Sequence, residues 1–100
     1  MKNILLVCNA GMSTSLLVNK MNEAAKGMGV EVNIKALPVA ECKNVIDTVD
    51  IVLLGPQVRF QKPQIEAMAN GRIPVEVIDM RFYGTMNGKG VLEGALELIK

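Results

Sequence analysis

Cys8, Asn9, Ala10, Gly11, Met12, Ser13, Thr14 and Ser15 form the stretch of this chain best suited to chemistry: a thiol, then small residues with a glycine, then three consecutive hydroxyls. An apolar run, Ile4 to Val7, precedes it and a helical pattern follows. That order builds an anion site. A glycine lets a loop bend back over a ligand, and the first N–H groups of a helix, which lack intrahelical partners, converge on one point. A phosphate fits there, cradled by residues 9 to 15 beside the sulfur of Cys8.

The same surroundings favour a Cys8 thiolate. A helix N-terminus stabilises an anion by roughly 0.3 to 2 kcal/mol, and about 1.4 kcal/mol corresponds to one pKa unit. Hydrogen bonds from Ser13, Thr14 or Ser15 to the sulfur would add about 1.5 to 3 kcal/mol each. Residues 1 to 22 contain no Asp or Glu, so no carboxylate nearby in sequence opposes the anion. The commonest role of a free cysteine is that of a small buried hydrophobe, and Cys42 fits that role. For Cys8 that role leaves the glycine and the three hydroxyls without a purpose.

The elements around this loop follow from length and patterning. One hundred residues is the size of one domain, so residues 1 to 100 are expected to share a single core. Half of the residues are hydrophobic, yet no apolar run approaches the length that crosses a bilayer, and no charged-then-apolar leader is present. These features predict a soluble, cytoplasmic chain. Two distant cysteines and no histidine exclude the common zinc ligand sets, a C-x-x-C redox pair and any Cys-His or Ser-His nucleophile within the chain. No metal or cofactor is expected. A net charge of +1 and three aromatic residues lack the basic stripe with stacking rings that marks a nucleic-acid surface.

Ile4 to Val7 and Asp50 to Leu54 are continuous apolar runs, the pattern of strands buried on both faces. Val30, Val32 and Ile34 alternate with Glu31, Asn33 and Lys35, which places that strand at an edge, and Pro74 to Ile78 reads as a fourth strand. Helical spacing runs from Leu16 to Met28, where Gly27 and Gly29 are stops, and recurs at Val39 to Asp47, Lys62 to Asn70 and Val91 to Ile99. Alternation of strand and helix predicts an α/β fold: an open four-stranded parallel sheet in the order 2-1-3-4 with helices on both faces. Ligands bind such sheets beyond the carboxyl ends of the strands, where the order reverses, and the first strand ends there at Cys8. The other carboxyl-end connections, Leu37-Pro38, Gly55-Pro56-Gln57 and Asp79 to Gly84, form its rim. Pro38 and Pro56 also suit turns or helix starts, Arg59 a solvated charge, and Tyr83 a core cap as well as a contact.

Val7-Cys8-Asn9-Ala10-Gly11-Met12-Ser13-Thr14-Ser15-Leu16-Leu17 resembles the cysteine loop of the IIB subunits of the bacterial sugar phosphotransferase system, lactose/cellobiose type. Val52-Leu53-Leu54-Gly55-Pro56-Gln57, Pro74 to Asp79 and Tyr83-Gly84 resemble that family's later strands and loops, so the likeness covers nearly the whole chain. The resemblance implies that Cys8 receives a phosphoryl group from phosphohistidine on a IIA protein and passes it to a sugar in the membrane transporter IIC. It also accounts for the missing histidine, because the donor supplies the imidazole. The lack of a linker favours a separate subunit, expected to be a monomer on its own. Donor and acceptor are expected to share a rim around the loop, with Met12, Pro38, Pro56 and Tyr83 as contacts.

The expected fold is also similar to that of low-molecular-weight tyrosine phosphatases, whose loop is Cys-x5-Arg-Ser. Here Thr14 stands at the arginine position and Ser15 follows. A threonine hydroxyl cannot give the bidentate charge neutralisation of a guanidinium, so hydrolysis of phosphate esters is the weaker reading. Asp79 stands where a phosphatase acid would be, and an aspartate that forms a turn suits the position equally well. A non-catalytic anion-binding module of the same fold is the third alternative.

Overall fold

In the computed structural model, the structure describes the backbone of residues 2–8 and 11–99, and the side chains of all of these except residues 8 and 11–14. Strands β1 (Lys2–Cys8), β2 (Val32–Pro38), β3 (Ile51–Leu54) and β4 (Val75–Val77) form one parallel sheet in the order β2-β1-β3-β4. Helices α1 (Gly11–Met28), α2 (Val39–Cys42), α3 (Lys62–Ala69), α4 (Met80–Gly84) and α5 (Gly88–Leu98) fill the connections, with 3-10 turns at Ile46–Thr48 and Pro56–Gln61.

The apolar runs form central strands because each alternate side chain has its own core to enter. Ile4 and Leu6 of β1 join Ile51 and Leu53 of β3 under α1 and α5, with Leu17, Met21, Leu92 and Ala95 facing them. Leu5, Val7, Val52 and Leu54 point the other way, onto Cys42, Val58, Ile65 and Ala69. Each fully buried Leu or Ile contributes about 1.5 to 3 kcal/mol of transfer free energy, so both faces of β1 resist polar substitution. Strand β2 has partner hydrogen bonds on one side only, and its alternating half-buried and exposed residues are those of an edge strand.

Helix α1 is closed by Gly29, whose φ of +72° is the left-handed conformation a glycine adopts at least cost. Val30 N donates to Ala25 O and Gly29 N to Lys26 O, which satisfies the last carbonyls in a Schellman arrangement. Gly27 lies inside the helix instead of ending it. At the amino ends of the strands, Asn3 N donates to Asp50 Oδ2 at 2.7 Å and Asp50 N donates to Asn3 O at 2.8 Å, aligning β1 with β3.

Several expected boundaries move. The segment expected to be one helix from Val39 to Asp47 divides into α2 and the Ile46–Thr48 turn. Asp79 to Gly84, read as a loop, contains α4, and α5 begins three residues before Val91. Both of these starts are capped: Asp79 Oδ1 accepts from Arg81 N at 2.8 Å, and Asn87 Oδ1 accepts from Gly90 N at 3.0 Å. Strand β2 runs on to Pro38, which carries Leu37 and Pro38 from the expected connection into the sheet. Among the described residues, no helix is long and apolar enough to cross a membrane.

Candidate active site

A parallel sheet brings all its carboxyl ends to one edge, and the register shows which residues meet there. Cys8 lies opposite Pro38, while Val7 aligns with Leu54 and Leu54 with Val77. Cys8 is the last residue of β1, one step beyond that row, between β2 on one side and β3 on the other. The chain passes from β1 to α1 on one face of the sheet and from β3 to α3 on the other, so Cys8 stands at the topological switch point. Helix α1 begins at Gly11, three residues after it, and its first N–H groups, which have no intrahelical partner, start at this edge.

Of the expected cradle, Asn9 and Ala10 lie outside the described residues, as do the side chains of Cys8, Gly11, Met12, Ser13 and Thr14. The backbone of residues 11 to 14 forms the first turn of α1, and Ser15 follows with its side chain exposed. Among the rim candidates, Pro38 is exposed beside Cys8. Two of the others need correction. Pro56 is buried because it opens the turn that carries Val58 into the core, and the Tyr83 ring, 9% exposed, packs under α5 with Ile78 and Leu92. Both shape the rim from beneath. Gln57 Nε2 donates to Tyr83 Oη at 3.2 Å and ties the connections after β3 and β4 together.

Among the described residues, this edge also exposes apolar groups that sequence patterning missed. Phe60 is 70% exposed and Met80 66%; Phe60 belongs to the connection after β3 and Met80 opens α4 after β4. Leu16, in the second turn of α1, is 47% exposed. The only sequence signal for Phe60 is an aromatic set among Arg59, Gln61 and Lys62. Arg59 is held locally: its Nη1 donates to Pro56 O at 3.0 Å and its guanidinium carbon lies 5.2 Å from the centre of the Phe60 ring.

Asp79 bonds both to the backbone N of Arg81 and to its guanidinium, at 3.3 Å and 3.2 Å. The Arg81 side-chain hydrogen bond, then the backbone bond, hold the Asp79 carboxyl below the usual aspartate value. These bonds favour the ionised carboxylate, the opposite of the protonated form that a phosphatase acid needs. Cys42 is fully buried in the second core, and burial pushes its thiol up from the ordinary value, so it is a poor nucleophile. A separate groove of about 180 Å³ between β4 and α5, lined by Ile78, Phe82, Gly90 and Leu98 among others, offers a mostly apolar wall with no thiol or hydroxyl.

A thiol at the switch point of a 2-1-3-4 parallel sheet, followed directly by a helix N-terminus, defines an α/β protein of the low-molecular-weight phosphatase-like fold. The family model for the PTS system, Lactose/Cellobiose specific IIB subunit, matches residues 3–94, and the chain belongs to that family. It is 47% identical to the oligo-beta-mannoside-specific EIIB component of Bacillus subtilis, over 99% of this chain and 97% of that one. It is 42% identical to the cellobiose-specific EIIB component of Lactococcus lactis, over 98% and 96%. The solution structure of a cellobiose-specific IIB component from Borrelia burgdorferi superposes with a TM-score of 0.81 at 43% identity, covering 98% of this chain and 91% of that one. The chain is therefore the IIB component of a sugar phosphotransferase system, a phosphotransferase that works with IIA and IIC components.

Proposed function

We propose that Cys8 is the phosphoryl carrier of this IIB subunit. Its thiolate attacks the phosphorus of a phosphohistidine on IIA; the S–P bond forms as the N–P bond breaks, and the imidazole leaves. In the second step a sugar hydroxyl bound in IIC attacks the phosphocysteine, the S–P bond breaks, and the hydroxyl proton passes to a base in the IIC site. The observation that carries this reading is the position of Cys8, which closes β1 at the switch point with α1 starting at Gly11.

The phosphocysteine is held by backbone amides of residues 9 to 15 and by hydroxyls, with Ser15 or Thr14 nearest the sulfur. No arginine lies in this loop. Its charge is then only partly neutralised, which keeps the group transferable. Arg59 and Arg81 are engaged with Pro56 O and Asp79, so their replacement by alanine leaves phosphorylation almost intact. A hundredfold loss in either variant would reveal a charge clamp and refute this cradle.

The chain acts as one cytoplasmic, monomeric IIB domain, and IIA and IIC use overlapping faces around Cys8 because each must approach the same sulfur or phosphorus in line. Pro38, Phe60 and Met80, all exposed, supply the apolar part of that face, and Met12 is assigned to it from its place in the loop sequence. NMR titration with the cognate IIA should shift resonances of the Cys8 loop and its neighbouring connections; shifts confined to α5 would overturn the assignment.

The direct experiment is incubation with phosphoenolpyruvate, the general phosphotransfer proteins and IIA, followed by intact-protein mass measurement. The parent and Cys42→Ser gain one phosphoryl group, and Cys8→Ser gains none. Turnover of an aryl phosphate by the chain alone would instead favour a hydrolase, and no mass gain from any histidine donor would favour a non-catalytic module.

A further inference from the structure

The chain contains two Asn-Gly dipeptides, Asn70–Gly71 and Asn87–Gly88, the sequence most prone to spontaneous loss of the asparagine amide. In that reaction the backbone nitrogen of the glycine, deprotonated by hydroxide, attacks Cγ of the asparagine. A C–N bond forms, the side-chain nitrogen leaves as ammonia, and water then opens the cyclic imide to aspartate or isoaspartate. Glycine favours it because no Cβ hinders the attack. The folded chain must also let the glycine nitrogen swing onto Cγ, so local structure sets the rate.

We infer that Asn70–Gly71 is a site of spontaneous deamidation in this protein and that the fold protects Asn87–Gly88. Asn70 caps the carboxyl end of α3 with φ 53° and ψ 36°, and Gly71 follows with φ +76°; both are exposed. Among the described residues, nothing accepts a hydrogen bond from the Gly71 amide and no side-chain bond holds Asn70. Swinging this pair disturbs the end of one short helix, held by Asn70 N to Glu66 O and Arg72 N to Ala69 O, and beside it the exposed Arg72–Asp47 ion pair. Such an exposed helix end opens at little cost.

Asn87–Gly88 is held at every atom the reaction needs. Asn87 Oδ1 accepts from Gly90 N at 3.0 Å, which holds the carboxamide on the first turn of α5. Gly88 N donates to Met86 O at 2.9 Å, which opposes loss of its proton. Gly88 is buried so tightly against α1 that an added Cβ would fall 2.5 Å from the Lys20 carbonyl carbon. Rotation there would pull α5 away from α1 and open a core.

The products at Asn70 place a carboxylate at the amino end of the sheet, across the molecule from Cys8, so phosphoryl transfer is unaffected and the two claims are tested separately. The folded parent and the urea-unfolded parent are incubated in warm, mildly alkaline buffer and digested with trypsin. The tryptic peptides Phe60 to Arg72 and Phe82 to Lys89 separate the two sites for mass measurement and isoaspartate detection. In the folded chain the first peptide should convert roughly tenfold or more faster than the second, and the unfolded chain should convert both at similar rates. Asn70→Gln should abolish the modification of the first peptide and leave phosphorylation from IIA unchanged. Equal conversion of both peptides in the folded chain, or an inert Asn70 over a time in which the unfolded chain converts, would overturn the inference.

Discussion

Gly88 and Lys20 are in backbone contact: a Cβ built on Gly88 would stand 2.5 Å from the Lys20 carbonyl carbon and 2.6 Å from the Met21 nitrogen. Only a glycine lets α5 start so close to the middle of α1, the helix whose first turn follows Cys8. Replacement by alanine must push two helices apart, because the obstacle is backbone and cannot turn aside. Gly88→Ala should destabilise by about 1 to 3 kcal/mol, as overpacking does, and lower the midpoint of thermal unfolding by roughly 4 to 8 °C per kcal/mol. Gly94 lies on the same helix with nothing near its missing Cβ, so Gly94→Ala should stabilise by about 0.5 to 1 kcal/mol. Differential scanning calorimetry of the two variants checks both signs.

Cys42 is expected to be chemically quiet. Its side chain is buried and its thiol pKa is raised by desolvation, so little thiolate forms near neutral pH. In a Cys8→Ser variant, iodoacetamide at neutral pH should modify the folded chain far more slowly than the urea-unfolded chain. Equal rates in the two states would show that Cys42 is accessible.

Asp79 should give stability an acid limb. Its carboxyl is held low mainly by the Arg81 hydrogen bond, so its contribution is complete above the ordinary aspartate value and fades as the pH falls through the lower folded value. Asp79→Ala, which removes both the cap of α4 and the ion pair, should lower the unfolding midpoint at pH 7. That deficit should narrow below about pH 4, where the carboxyl of the unfolded chain begins to take a proton, and close as the pH falls through the lower folded value. A deficit independent of pH would assign the effect to something other than the charged carboxylate.

Phe60 and Met80 should matter for encounter and not for folding. Both side chains are about two-thirds exposed or more, so alanine should leave the unfolding midpoint within a degree or two of the parent. If the IIA face covers them, each substitution should raise the KM for IIA by roughly threefold to thirtyfold, with little change in kcat. Unchanged KM in both variants would place the partner elsewhere on the rim.

What could be read along the chain was what depends on near neighbours. Continuous apolar runs marked β1 and β3 as central strands, alternation marked β2 as an edge, and Gly29 closed α1, since each of these is a periodicity or a backbone preference within a few residues. The place of Cys8 at the end of β1, just before α1, was legible for the same reason: strand, thiol, glycine and helix start are adjacent in sequence. Helix α4 was not, because five residues from Met80 to Gly84 are too few to display a helical period, and its start rests on the Asp79 cap.

Exposure was decided only by the tertiary structure. Pro56 and Tyr83 looked like rim residues from their place in connections, yet the packing of α5 and of the Pro56–Gln61 turn buries them, while Phe60 and Met80, apolar by type, are left in solvent. The approach of Gly88 to Lys20 is equally invisible along the chain, with some seventy residues between them. Residue type and spacing determine which local structures form and which group can be a nucleophile. Which side chains are covered depends on segments that arrive from far away in sequence, and only the assembled sheet and its two helical layers set that.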